Sequence, residues 1–201
     1  MLALKKLLPV AALALFCAPV SAGAAALDVV NVGAPAINCV YNTTCTITVS
    51  DSIGNFTPPG DLGTARLQSR TYIGAAPAPL AGKMGYEYRV DLTAVTAPTA
   101  ANCVTAMQIT FGTVAKGPYA PGGLHDVFVI TSGGLGSVAV DTATHGGGGV
   151  VMFNFAGSGV CPGQTSFFFG LTSATTVPVL ATAKLFYSLG GMPGVVPVRV
   201  P

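Results

Sequence analysis

Between residues 83 and 95 the chain alternates with a period of two. Met84, Tyr86, Tyr88, Val90, Leu92 and Ala94 fall on one side, and Lys83, Gly85, Glu87, Arg89, Asp91 and Thr93 on the other. A helix would mix these sets, so the pattern predicts a strand with one buried face. Residues 103–111 repeat it: Cys103, Thr105, Met107, Ile109 and Phe111 stand opposite Val104, Ala106, Gln108 and Thr110. Shorter runs rich in Val, Ile and Phe predict strands at 126–131, 136–141, 149–155 and 165–173. Residues 44–50 and 65–73 read the same way, and 27–32 and 195–200 add weaker segments near the ends. Residues 179–189 have the best helical composition, but strict alternation from Val179 to Tyr187 reads them as a strand. No stretch shows a convincing 3.6-residue period.

Gly and Pro punctuate the runs every 8 to 15 positions, as turns between strands do. About ten strands in one domain predict two packed sheets, an antiparallel β-sandwich or jelly roll. A closed barrel of the outer-membrane kind also alternates. Here the strands are uneven, and 150–155 and 166–171 are apolar on both faces, which favours the sandwich.

The N-terminus has a different pattern. Lys5 and Lys6 precede an apolar stretch over 7–18, and Val20-Ser21-Ala22 puts small residues at −3 and −1 of a cleavage point. This predicts a secretory signal over 1–22, with cleavage sites as late as residue 26, followed by one β-sandwich domain over 27–201. The apolar run is shorter than the roughly 20 residues of a membrane anchor. The expectation is a chain exported to the periplasm, cell surface or medium, with no membrane insertion after cleavage. Cys17 leaves with the signal. Cys39, Cys45, Cys103 and Cys161 remain, and an even number in an exported chain predicts two disulfides. The pairing Cys39–Cys45, around a hairpin loop, with Cys103–Cys161 is favoured over a four-thiolate zinc site, whose ligands usually come in CxxC-like pairs.

Charge narrows the function classes. Charged residues make up 8% of the 201, and the net charge is +2. Lys5 and Lys6 account for that excess, so the remaining chain is formally neutral and has no basic stripe for nucleic acid. The catalytic inventory is equally thin. No GxSxG elbow is present. Glu87 and Asp91 share a strand face about 13 Å apart at ~3.4 Å per residue, too far for a glycosidase pair. They read instead as a solvated face, paired across the ladder with Arg66 or Arg70. His125, Asp126, Asp141 and His145 lie at predicted strand ends or loops, where a metal could gather, but no metal motif joins them. Phe167-Phe168-Phe169 is either an aromatic platform or a strand buried on both faces, and the second reading is preferred. No catalytic residue, cofactor or metal is predicted.

The segments 63–70 (GTARLQSR), 82–93 (GKMGYEYRVDLT), 103–112 (CVTAMQITFG), 126–137 (DVFVITSGGLGS) and 166–173 (SFFFGLTS) resemble a group of exported β-rich proteins of Gram-negative bacteria with no assigned activity. The resemblance implies a secreted β protein and carries no catalytic residue with it. The expected function is a structural or interaction role without catalysis. One alternative is a glycan- or small-ligand-binding module, with Tyr86, Tyr88, His125 and Asp126 as ligand contacts. The other is a surface subunit that self-associates when the arm 27–32 complements a neighbour's open sheet. A glycan or protein partner is open on either reading; a nucleic-acid partner is not expected.

Overall fold

The computed structural model describes residues 23–97 and 99–201. The predicted export signal, with Cys17, lies outside the described residues. Strands β1 (Ala25–Leu27) and β2 (Val29–Gly33) lead into helix α1 (Ala34–Tyr41). Next come β3 (Ser50–Phe56), β4 (Leu62–Gly63), β5 (Ala65–Ile73), β6 (Met84–Asp91), β7 (Val95–Thr96) and β8 (Val104–Thr110). The chain continues through β9 (Val127–Ser132), β10 (Val140–His145), β11 (Val150–Phe155), β12 (Phe169–Ser173), β13 (Val179–Tyr187) and β14 (Gly194–Val200). Two six-stranded sheets form: β1-β10-β11-β8-β13-β14 (the first sheet) and β2-β9-β12-β6-β5-β3 (the second), with β4 and β7 as a small separate ladder. The fold is an all-β sandwich.

The alternation read from the sequence builds the interior. Met84, Tyr86, Tyr88 and Val90 of β6 turn inward and meet Met107, Ile109, Phe153 and Leu185 from the opposite sheet. Phe169 sits at the centre, with ring centroids 4.9 Å from Phe153, 5.6 Å from Phe155 and 5.9 Å from Tyr88. Each fully buried apolar side chain of this size contributes about 1.5–3 kcal/mol. Both predicted disulfides are present, Cys39–Cys45 and Cys103–Cys161. The second stands beside a doubly hydrogen-bonded pair, Val104 and Val160, whose N–H groups each donate to the other's carbonyl at 2.9 Å.

Several expectations are corrected. Residues 34–41 form a helix where none was expected. Pro35 occupies its first turn, where the missing N–H costs nothing. Ile37, Val40 and Tyr41, at i, i+3 and i+4, are its buried face. Eight residues are too few for that period to stand out among alternating strands. Cys39 therefore lies in the helix and Cys45 in the turn beyond it, so their bridge ties a helix end, not a hairpin. The strand expected at 44–50 begins at Ser50, and the one expected at 136–141 begins at Val140. The long strand over 83–95 stops at Asp91, whose carboxylate accepts from the Thr93 N–H at 2.9 Å and its hydroxyl at 2.6 Å. That Asx turn competes with the ladder.

One strand ladder among the described residues is parallel, which the antiparallel expectation missed. β1 pairs antiparallel with β10 in the first sheet, whereas β2 pairs parallel with β9 in the second. The chain changes sheets at Asp28. Its carbonyl accepts from the N–H groups of Asp126 and Val127, and its own N–H donates to the Asp126 carboxylate at 3.0 Å. The arm that alternation offered for a neighbour pairs here within its own chain. No helix among the described residues is long and apolar enough to cross a membrane.

Candidate functional site

The outer face of the second sheet is covered, and the cover creates the site. Ile37, Val40 and Tyr41 of α1 pack onto Tyr72, Phe128, Ile130 and Phe168, forming a second apolar cluster outside the main core. The face makes room for these rings with glycine. A Cβ on Gly85 would lie 2.4 Å from the Tyr72 ring, and one on Gly170 would lie 2.5 Å from Phe128 and 2.4 Å from the Tyr86 carbonyl. Polar groups inside the cluster are tied together. The Tyr119 hydroxyl donates to Thr172 Oγ1 at 2.6 Å, and the Tyr41 hydroxyl also bonds Thr172. Tyr72 packs edge-on against Tyr41 at 4.7 Å.

Beside this cluster a cavity of about 280 Å³ opens between sheet and helix. Its floor carries Arg70, Glu87, Ile130 and Phe168; Asn38 of α1 and Leu135 of the β9–β10 loop stand among its walls. Arg70 and Glu87 are directly opposed across β5 and β6, a spacing of about 5 Å between Cβ atoms. They do not form an ion pair. Arg70 Nε reaches Asp51 Oδ1 at 2.9 Å, and its guanidinium lies over Phe168, 4.2 Å from the ring centroid. Arg89 approaches the same ring at 4.9 Å. Glu87 is only 3% exposed. Its Oε1 accepts from the Tyr72 hydroxyl at 2.7 Å, and no described residue donates to Oε2. Burial pushes the Glu87 carboxyl above the usual carboxylate range; Tyr72 and the charge on Arg70 pull it partly back, and Asp51 adds to the rise.

One sequence expectation changes here and one holds. Glu87 is not on a solvated face, because α1 and the loops around it cover that face; Arg66 and Arg70 do stand opposite Asp91 and Glu87 in register. Phe168 and Phe169 are buried, one on each side of the sheet, and the Phe168 face is occupied by two guanidinium groups, so they form no open platform. Tyr86 and Tyr88, considered as ligand contacts, point into the sandwich core; the Tyr88 hydroxyl donates to the Arg199 carbonyl at 3.0 Å.

His125 and Asp126 meet at the sheet-changing point of the N-terminal arm. His125 Nδ1 is 2.8 Å from Asp28 Oδ2, and Lys116 Nζ is 3.1 Å from Asp126 Oδ2. His145 is elsewhere, with Nε2 against the Gly112 carbonyl at 2.7 Å. The four residues considered for a metal are not brought together, and no three His, Cys, Asp or Glu side chains among the described residues surround a common point. The one signal that would have located the cavity is the Ile37, Val40, Tyr41 spacing after Pro35. A short amphipathic helix needs a sheet face to lie on. No family model, curated protein or solved structure matches the chain.

Proposed function

We propose that the chain is an exported, non-catalytic binding protein, and that its ligand sits in the cavity between α1 and the second sheet. The observation that carries this reading is Glu87: a 3% exposed carboxyl on the cavity floor with one oxygen unspent. That oxygen is not among the side-chain atoms sealed from solvent without a partner, so it opens to the cavity, where a ligand donor can take the place of water. Small-molecule sites typically combine an apolar wall with a few convergent polar groups, as this cavity does. Holding is favoured over turnover because hydrolysis by carboxyl groups needs two of them about 5–9.5 Å apart across the scissile bond. Glu87 is the one carboxyl among the described residues lining the cavity, and nearby Asp51 is engaged by Arg70 and by Gln68. Two disulfides and the leader-like N-terminus support export.

The test is a fragment titration of the 15N-labelled protein, followed by backbone amide shifts. Saturable shifts confined to 34–38 and 130–135 are expected. Turnover of a glycoside or ester substrate by the protein, lost in Glu87→Gln, would overturn the non-catalytic reading.

A further inference from the structure

Resting on the reading that this cavity binds a ligand, we infer that the ligand is a neutral, polyhydroxylated ring of monosaccharide size, held by Arg70 and Glu87 through adjacent hydroxyls. Size comes first. A cavity of about 280 Å³ is at the lower end of ligand sites, so it takes one small ring and not a chain of them. Charge then excludes the ionic classes. A cationic ligand would meet the guanidinium group of Arg70 on the cavity floor, with a second guanidinium, that of Arg89, 4.9 Å from the same Phe168 ring. An anionic ligand would face Glu87, whose carboxyl is already desolvated and has no guanidinium paired to it.

Hydrogen-bond polarity makes the positive case. Glu87 Oε2 is an acceptor to which no described residue donates. Arg70 spends Nε on Asp51, and no described residue accepts from its terminal Nη groups. The two side chains are directly opposed in the sheet register. A donor and an acceptor presented side by side on one cavity floor can serve two hydroxyls of one ring, one donating to Glu87 and the other accepting from Arg70. Ile47, Val49, Ile130 and Leu135 line the same cavity, and the C–H faces of a sugar ring suit such apolar walls. The segment carrying Ile47 and Val49 follows the Cys39–Cys45 bridge, so that disulfide anchors one wall. A free sugar and the terminal residue of a glycan present this same chemistry.

The experiment titrates the 15N-labelled protein separately with methyl α-D-glucopyranoside, methyl β-D-galactopyranoside, propylamine and propionate. The expected result is that at least one glycoside, and neither ionic probe, saturably shifts the amides of Ala34, Asn38, Ile130 and Gly133. Glu87→Gln and Arg70→Gln should each weaken that binding about tenfold or more, the usual effect of losing a hydrogen bond to a charged group. Arg70 is partly exposed, so its variant keeps the fold and the inference does not hang on Glu87 alone. The bound sugar at the end of a trisaccharide, compared with its methyl glycoside, tells a glycan terminus from a free sugar; binding by either agrees with the inference. Binding of propylamine or propionate without either glycoside overturns the ligand class and leaves the cavity reading standing. Glycoside binding unchanged in both variants overturns the assignment to Arg70 and Glu87. If none of the four probes shifts those amides, both readings fall.

Discussion

Replacing Cys103 and Cys161 together by Ala tests where the larger disulfide acts. In the folded chain it joins segments already fixed by other means: Val104 and Val160 exchange two backbone hydrogen bonds next to it, and β8 and β11 are neighbours in register from Thr110–Val150 to Ala106–Asn154. Its removal should leave the native structure nearly unchanged and act on the unfolded chain. The two cysteines are 58 positions apart, and the loop-closure entropy of such a segment corresponds to about 4 kcal/mol at 25 °C. The Cys39–Cys45 bridge spans only six positions, for which the same relation gives about 2 kcal/mol. Urea unfolding of the protein and the two double variants measures both numbers. For a domain of this size, 4 kcal/mol corresponds to a fall of roughly 8–16 °C in Tm. The urea slope should rise slightly, because the unbridged unfolded chain exposes more surface. A loss below about 1 kcal/mol for the long bridge, or equal losses for the two, would refute the argument that the constraint lies in the unfolded state.

Glu87→Gln should stabilise the protein at neutral pH. A carboxyl raised by burial binds its proton more tightly when folded, so stability is highest below the unfolded value of about 4.3 and falls as pH rises through the folded one; the gain seen in urea at pH 7.5 should vanish near pH 3.5, and a variant less stable at pH 7.5 contradicts this. Burial holds all six tyrosines above the ordinary phenol range, Tyr86 and Tyr119 at about 12. Native absorbance at 295 nm should therefore show little tyrosinate at pH 10.5, and stability should decline above pH 10 as the unfolded chain ionises first; ready titration of several tyrosines in the folded protein would count against it. Gly170→Ala should cost about 1–3 kcal/mol by overpacking, since its Cβ meets a backbone oxygen and the Phe128 ring; an unchanged Tm would show that the face yields.

The sandwich was legible because its signal is local. Each of β5, β6, β8 and β13 carries its own alternation, and a period of two over seven to nine residues needs no partner to be read. Both disulfides were legible for a related reason, since four cysteines allow only three pairings. The cavity was not legible, because its parts come from α1, β5, β6, β9 and the segments around them, and only the fold gathers them. Glu87 shows the difficulty most clearly. On its strand it alternates with Tyr86 and Tyr88 as a solvent-facing charge should, and what buries it is a helix almost fifty residues earlier. Asp91, four residues along the same face, stays partly exposed. The choice between a solvated and a desolvated carboxyl was thus made by a distant element.

The sheet change at Asp28 also governs when the protein can fold. β1 requires β10 and β2 requires β9, so the first strands to emerge wait for residues 127–145. The first sheet is then completed only by β13 and β14, while the second draws on β3, β5, β6 and β12, so neither sheet is assembled from one continuous half of the chain. Such interleaving gives a high contact order and slow, late folding. In a chain delivered N-terminus first, β3, β5 and β6 can pair early, but neither sheet is complete until β12 to β14 have arrived, so closure of the sandwich belongs to the end of delivery.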